Sequence, residues 1–267
     1  MGVYEQRAVL FLDILGFSEL VQAGRANRLL GALEHLQGRA LEISEEGKLD
    51  FTAFSDCVVV SAPMLDGRGA LQVVHYAQFL ALDLLAKGFL TRGAIVSGEL
   101  YHRGSIVLGP ALVHAYRLES KKALYPRILV SHSILGAAVE VVERLSAADR
   151  RFTTVQPIFR EDFDGSLHVD IFSEGASAPE MYSVQTETDG SGRTTAFRDS
   201  TLTFIDRIFS VEPPPVATEK YAWLARYFFE KCKDNLWPLP TNLPIPQWKK
   251  DQYEEELRVM RIADQQE

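Results

Sequence analysis

An α+β architecture, a β-α-β-β-α-β sheet of the ferredoxin-like split βαβ plan with helices on one face, is predicted by three observations. Apolar runs bounded by turn residues recur at 7–14, 49–54, 57–61 and 91–97, each of strand length and rich in β-branched or aromatic residues. Two longer segments, 18–44 and 69–87, carry apolar residues at helical spacing. Helices and tight turns alternate as connections between the strands, which is the order the split plan requires.

In chain order, 7–14 is the first strand, ended by the turn at Gly16. A long amphipathic helix follows over roughly 18–44, with Leu29, Leu30, Leu33 and Leu36 on its apolar stripe. The segment E-E-G-K at 45–48 closes it. A short strand at 49–54, the turn Ser55-Asp56 and a third strand at 57–61 make a hairpin. A second helix spans 69–87, 91–97 is a strand, and a polar hairpin at 101–104 leads to an apolar stretch ending at Leu108. Gly109-Pro110 opens a third helix, where proline suits the first turn, and 127–131 is a further strand. Residues 162–172 read as a hairpin turning at Asp164-Gly165, and 186–195 as an exposed loop. Three prolines at 213–215 precede a helix containing K-Y-A-W-L-A-R-Y-F-F, then a proline-rich stretch at 237–246, and the last twenty residues are a charged helix or a frayed end. Residues 1–210 are thus expected to form the main domain, and 211–267 a Pro-rich linker with a C-terminal helical extension.

The formal charge of −8 argues against binding duplex nucleic acid or an anionic membrane, since either requires a basic face. No apolar run reads as a membrane span and no leader pattern is found. The two cysteines, Cys57 and Cys232, lie far apart, and Cys57 falls in an apolar strand. A packed thiol in a reducing cytoplasm is favoured over a disulfide.

Two aspartates do not fit the strands that hold them. Asp13 lies in F-L-D-I-L-G-F-S and Asp56 in F-S-D-C-V-V-V-S, and a buried carboxylate is costly unless paired. Neither has a basic neighbour in sequence. A divalent cation is the economical partner, and hard carboxylate oxygens suit Mg²⁺ or Mn²⁺. Adjacent central strands would bring both aspartates to one sheet edge. The loop Ile14–Ser18 then enters a helix, where backbone N–H groups helped by Gly16 and capped by Ser18 make an anion cradle. A cation beside an anion cradle suits a polyphosphate substrate.

A third segment, T-R-G-A-I-V-S-G-E at 91–99 followed by R-G-S-I-V-L-G-P-A-L-V-H-A-Y-R-L-E at 103–119, completes a pattern. Together the three segments resemble the catalytic domain of class III nucleotidyl cyclases, over residues 7–131. The resemblance implies a sheet of the class III cyclase type, two Mg²⁺ or Mn²⁺ ions per site, and a homodimer with active sites at its interface. It implies that Asp13 and Asp56 are metal ligands, with the Ile14 backbone carbonyl a third. It places Leu15, Gly16, Phe17 and Ser18 at the substrate, with Phe17 and Ser18 on the triphosphate. It makes Arg117 the catalytic arginine that stabilises charge on the α-phosphate.

The departures bear on the base. The family's ribose-positioning asparagine is here Val113, and the two purine-reading positions hold Thr52 and Ile106. Lacking charged or strongly polar readers there, a pocket loses discrimination for adenine or guanine. Y-P-R-I-L-V-S at 125–131, D-F-D-G at 162–165 and K-Y-x-W-L-x-x-Y at 220–227 are similar to the pyrimidine cyclases of bacterial Pycsar antiphage systems. That implies conversion of UTP or CTP to the 3′,5′-cyclic monophosphate, sensed by a separate effector protein. Loss of an acceptor at Ile106 tilts the expectation toward UTP over CTP, with Thr52 touching the base. Arg92 is read as either structural or a base or ribose contact. A purine cyclase and a non-catalytic cyclase-like dimer module are the alternatives. His75, His114 and Lys121-Lys122 are read as packing or surface residues, and Gln185 matches a phosphate-binding lysine position too loosely to use.

Overall fold

The computed structural model describes residues 2–22, 27, 30–34, 38, 49–148, 158–173 and 192–264. The chain divides into two compact units, Met1–Tyr182 and Ser183–Glu267.

In the first unit β1 (Glu5–Ile14) leads into a short helix, α1 (Phe17–Gln22). Then come β2 (Asp50–Phe54), β3 (Cys57–Pro63), α2 (Arg68–Ala86), β4 (Thr91–Arg103), β5 (Ile106–Leu108), α3 (Pro110–Lys122), β6 (Ile128–Val130), α4 (His132–Ala148), β7 (Phe159–Glu161) and β8 (Leu167–Val169). The sheet order is β2-β3-β1-β4-β6-β8-β7, with β5 paired to β4. β1 lies between β3 and β4 and is antiparallel to both, which is the expected split βαβ arrangement in an α+β fold. β6 adds to β4 in parallel.

Helical periodicity explains the cover. α2 buries thirteen of its residues, from Gly69 to Leu85, and packs against β1, β3 and β4 and against α4. The even-numbered β1 residues Ala8, Leu10 and Leu12 are fully buried, each leucine contributing about 2 kcal/mol. The odd-numbered Val9 and Phe11 join Val59, Val96 and Leu100 in a cluster closed by Ala111 and Ala115 of α3. α3 therefore covers the opposite face of β1 and β4, so helices lie on both faces of the sheet and not on the one face expected. Its alanines allow close approach: a Cβ on Gly98 would sit 3.2 Å from Ala111.

Several expectations need adjustment. β4 runs to Arg103 rather than ending near 97, because its outer end pairs with β5 across the turn at Gly104. α4 was not anticipated; Ile134, Ala138 and Val141 form its buried stripe. The apolar segment Arg68–Ala86 is long and apolar enough to cross a membrane by composition, but 72% of it is buried inside the fold. The expected helix over 18–44 is described to Gln22 and again at 30–34, where Leu30 is exposed and Ala32 buried. Leu29, Leu36, Gln185 and the segment 45–48 lie outside the described residues.

The expected hairpin at 162–172 forms with shorter strands, β7 and β8. Arg127, whose side chain has no exposed surface, holds its turn by ion pairs to Asp162 and, at 2.6 Å, to Asp164. Hydrogen bonds from Arg127 hold the Asp164 carboxyl well below the usual range, against the opposing effect of burial.

The second unit contains α5 (Gly192–Phe209), α6 (Thr218–Asn235) and α7 (Gln247–Asp264). α5 was not anticipated and begins inside the segment read as a loop at 186–195. The aromatic run of α6 is core: Trp223, Tyr227, Phe228 and Phe229 are buried. The hydroxyl of Tyr253 on α7 lies 2.8 Å from both Cys232 O and Trp237 O, its one proton shared between the two carbonyls.

Candidate active site

Strand register builds this site. Asp13 is directly opposite Cys57 on β3 and Arg92 on β4, and residues directly opposite in an antiparallel pair point to the same face. The β2–β3 turn carries Asp56 to the same end of the sheet. Its backbone is fixed there because Ile14 donates its N–H to Asp56 O at 3.0 Å. Ser55 takes φ 56°, a left-handed conformation uncommon outside glycine, to make this turn. Gly93, next to Arg92, has no room for a side chain, since a Cβ would lie 2.6 Å from Phe11 O.

Asp13, Asp56 and Cys57 each offer a ligand atom, and these atoms lie within 4.8 Å of one another. All three residues are half-buried. The two aspartates singled out from sequence are thus brought together. Cys57 is a free, half-buried thiol whose Sγ donates to Asp56 Oδ1 at 3.7 Å. Burial, then the Asp56 and Asp13 carboxylates, push the thiol up to about 12, so it is a neutral neighbour of the carboxylates. Both cysteines are free.

Arg92 contacts two carboxylates. Its Nε donates to Asp13 Oδ2 at 2.9 Å and lies 2.6 Å from Glu119 Oε1. Glu119, at 2% exposure, is the end of the α3 stripe that begins with Ala111 and Ala115. Its contact with Arg92 is a charge contact and not an aligned hydrogen bond, so Oε1 is buried without a hydrogen-bond partner. Burial pushes the Glu119 carboxyl up to about 7; Arg92 opposes this, and Asp13 and Asp56 add to it. Sequence reading missed Glu119. The signal available was its phase, four residues beyond Ala115 on the buried side of a helix.

The loop after Asp13 is pinned. Leu15 donates its N–H to Leu90 O at 2.8 Å, so the amides of Ile14 and Leu15 hold the loop and do not face an anion. Gly16 turns the chain at φ 75°, and Phe17 and Ser18 open α1 with Glu19 in its first turn. Any cradle for phosphate therefore comes from Gly16, Phe17 and Ser18. Arg117 is exposed, off the buried stripe of α3. Val113, at 48% exposure, and Ile106, at 55%, face solvent as well.

Thr52 is held in a directional chain of hydrogen bonds. Arg7 Nε donates to Ser61 Oγ at 2.9 Å. Ser61 Oγ is 2.8 Å from His102 Nδ1, and His102 Nε2 is 3.0 Å from Thr52 Oγ1. Thr52 then donates to Gly104 O at 2.8 Å. Burial pushes His102 down to about 4, with Asp50 opposing and Arg7 reinforcing, so the ring is neutral. The consistent assignment is Ser61 donating to Nδ1 and Nε2–H donating to Thr52.

The donor set fits a divalent cation: two carboxylates converge, and a guanidinium already occupies one of them as a cation would.

No family model matches the chain, and no curated protein does. Solved structures do. The adenylyl cyclase CyaB from P. aeruginosa is similar at TM-score 0.45 and 16% identity, covering 62% of this chain and 92% of that one. The guanylyl cyclase Cya2 is similar at TM-score 0.41 and 19% identity, covering 51% of this chain and 79% of that one. The guanylyl cyclase domain of the RhoGC fusion protein from the fungus Blastocladiella emersonii is similar at TM-score 0.43 and 18% identity, covering 62% and 95%. Likeness at this level carries nothing about activity or substrate, for which the residues themselves must speak.

Proposed function

We propose that the chain is a nucleotidyl cyclase that converts a pyrimidine nucleoside triphosphate to its 3′,5′-cyclic monophosphate and pyrophosphate, a second messenger for a separate effector in antiphage defence. The observation that carries this reading is the convergence of Asp13 and Asp56, forty-three residues apart, on one corner of the sheet beside the Gly16–Ser18 loop. Asp13, Asp56 and the Ile14 carbonyl would hold one or two Mg²⁺ or Mn²⁺ ions. The chemistry such ions supply is charge neutralisation on the triphosphate and a more acidic ribose 3′-OH. Gly16, Phe17 and Ser18 orient the phosphates. The 3′-oxygen bonds to the α-phosphorus, the bond to the β-phosphate oxygen breaks, and the hydroxyl proton leaves to solvent. Arg117 of one protomer serves the site of its partner, stabilising charge on the α-phosphate; its exposed position on α3 suits that role.

The pyrimidine assignment rests on Thr52 and Ile106, which carry no charge with which to read a purine. The missing acceptor at Ile106 favours UTP. A specific observation favours CTP instead: Thr52 commits its proton to Gly104 O, leaving a lone pair for an exocyclic amine such as that of cytosine.

Incubation with each of the four ribonucleoside triphosphates and Mn²⁺, with products separated by chromatography and identified by mass, tests the reading. A cyclic pyrimidine monophosphate with pyrophosphate is expected. Cyclic AMP or cyclic GMP as the main product would move the chain to the purine alternative. Biological activity that survives Asp13→Ala would make it a non-catalytic cyclase-like module. For the shared site, mixing inactive Asp13→Asn and Arg117→Ala chains should restore up to about a quarter of the wild-type rate, since half the dimers are mixed and each has one intact site.

A further inference from the structure

Arg92 and Glu119 take no part in the chemistry just described, yet Arg92 touches its central carboxylate. A single N–H, on Arg92 Nε, stands between two acceptors: it is aimed at Asp13 Oδ2, 2.9 Å away, while Glu119 Oε1 lies at 2.6 Å without alignment. An N–H points well at only one acceptor at a time. Asp13 has it, and Glu119 Oε1 is left buried without a hydrogen bond. Glu119, at 2% side-chain exposure, is closed to any ligand, whereas Asp13 at 15% and Arg92 at 28% are reachable from solvent.

We infer that Arg92 is a built-in competitor for the cation at Asp13, and that Glu119 is the buried counter-charge that takes the Arg92 N–H when a divalent ion claims the aspartate. This rests on Asp13 and Asp56 being the cation carboxylates of a cyclase-type site. The exchange needs almost no travel, because Nε is already within contact of Oε1 and only has to turn. The cost of displacing Arg92 is returned in part, since the orphaned Glu119 oxygen acquires its missing donor as Asp13 loses one. Without a cation, Arg92 holds Asp13 neutralised and in place. Glu119 is thereby a positioning residue that acts through Arg92 rather than on substrate.

Mn²⁺ binding to the full chain without nucleotide, followed by the electron paramagnetic resonance of free Mn²⁺, measures the competition. Arg92→Met is expected to bind Mn²⁺ about tenfold more tightly than wild type, the part of the charge-assisted Arg92–Asp13 bond and of the like-charge opposition that Glu119 does not return. The hand-over has its own signature in protein labelled with ¹⁵N at arginine. On saturation with Mg²⁺ the Arg92 Nε–H resonance should move and stay protected from solvent exchange. In Glu119→Gln that protection should weaken, because the amide is a poorer acceptor. Equal Mn²⁺ affinity in wild type and Arg92→Met, no Mn²⁺ binding by either, or a resonance that Mg²⁺ leaves in place would each overturn the inference. If Glu119→Gln does not fold, the first variant and the wild-type resonance still decide. Nucleotide turnover is scored separately: a chain that shows this exchange but cyclises nothing loses the proposed function and keeps the exchange, and an active chain without it does the reverse.

Discussion

Two polar clusters lie on the same face of the sheet, one anchored on Arg7 at the start of β1 and the other on Asp13 near its end. At one end Arg7, Ser61, His102 and Thr52 pass hydrogen bonds in a single direction to Gly104 O, and Arg7 pairs with Asp50 and Glu5. Every group in this chain has a partner. At the other end Asp13 and Glu119 both contact the Arg92 guanidinium, Asp56 lies beside Asp13, and Glu119 Oε1 is left without a hydrogen bond. Both clusters put charge inside a fold, but in the first Glu5 and Asp50 meet the guanidiniums of Arg7 and Arg103, whereas in the second a buried Glu119 oxygen lacks a hydrogen bond. A satisfied network holds strands in register; an unsatisfied one is ready for a ligand of opposite sign.

The sharpest way to break this contrast is to remove a charge from each end. Asp13→Asn should lower turnover of whichever triphosphate is used by about a hundredfold or more, with little change in melting temperature. Arg7→Met should do the opposite, costing about 3 kcal/mol of unfolding free energy by leaving Ser61 and Asp50 without their donor, while Mn²⁺ affinity is kept. Denaturant melts and Mn²⁺ titrations check both. A large stability loss from Asp13→Asn would mean that the second cluster is structural too.

Acid should attack the Arg7 end. His102 has its folded value near 4, below its ordinary 6.5, so the unfolded chain takes up the proton first as pH falls. Its contribution to stability is full above 6.5 and is lost progressively toward 4. Melting temperature against pH should show this fall, and His102→Gln should flatten it. A smaller effect is expected from Thr52→Val, about 1 kcal/mol in stability, together with a change in the ratio of CTP to UTP turnover. The same change in stability with an unaltered ratio would remove Thr52 from base recognition. The smallest effect is at the turn between the two strands: Ser55→Gly relieves a left-handed non-glycine conformation and should stabilise by about 0.5 kcal/mol, measured by chemical denaturation.

Asp13 and Asp56 were legible in the sequence because a carboxylate within an apolar run is a local anomaly, visible without knowledge of any partner. The split βαβ order was legible for a related reason, since strand and helix periods are written in successive side chains. Arg92 was visible only as an arginine after Thr91, and its role stayed open. α4 and α5 were missed because their apolar stripes are interrupted by small and polar residues, and packing on neighbours completes them. Glu119 looked like one more charged helix residue until the α3 stripe turned it inward.

Composition and local periodicity by themselves determined that this chain would build a mixed sheet and set two aspartates against its apolar strands. Pairing register, a property of three strands at once, decided that Asp13 would face Cys57 and Arg92. The packing of α3 decided that a buried glutamate would stand behind that arginine. The physical reason is range: period and propensity act between neighbours in the chain, whereas charge and hydrogen bonding act between whatever folding brings within a few ångströms.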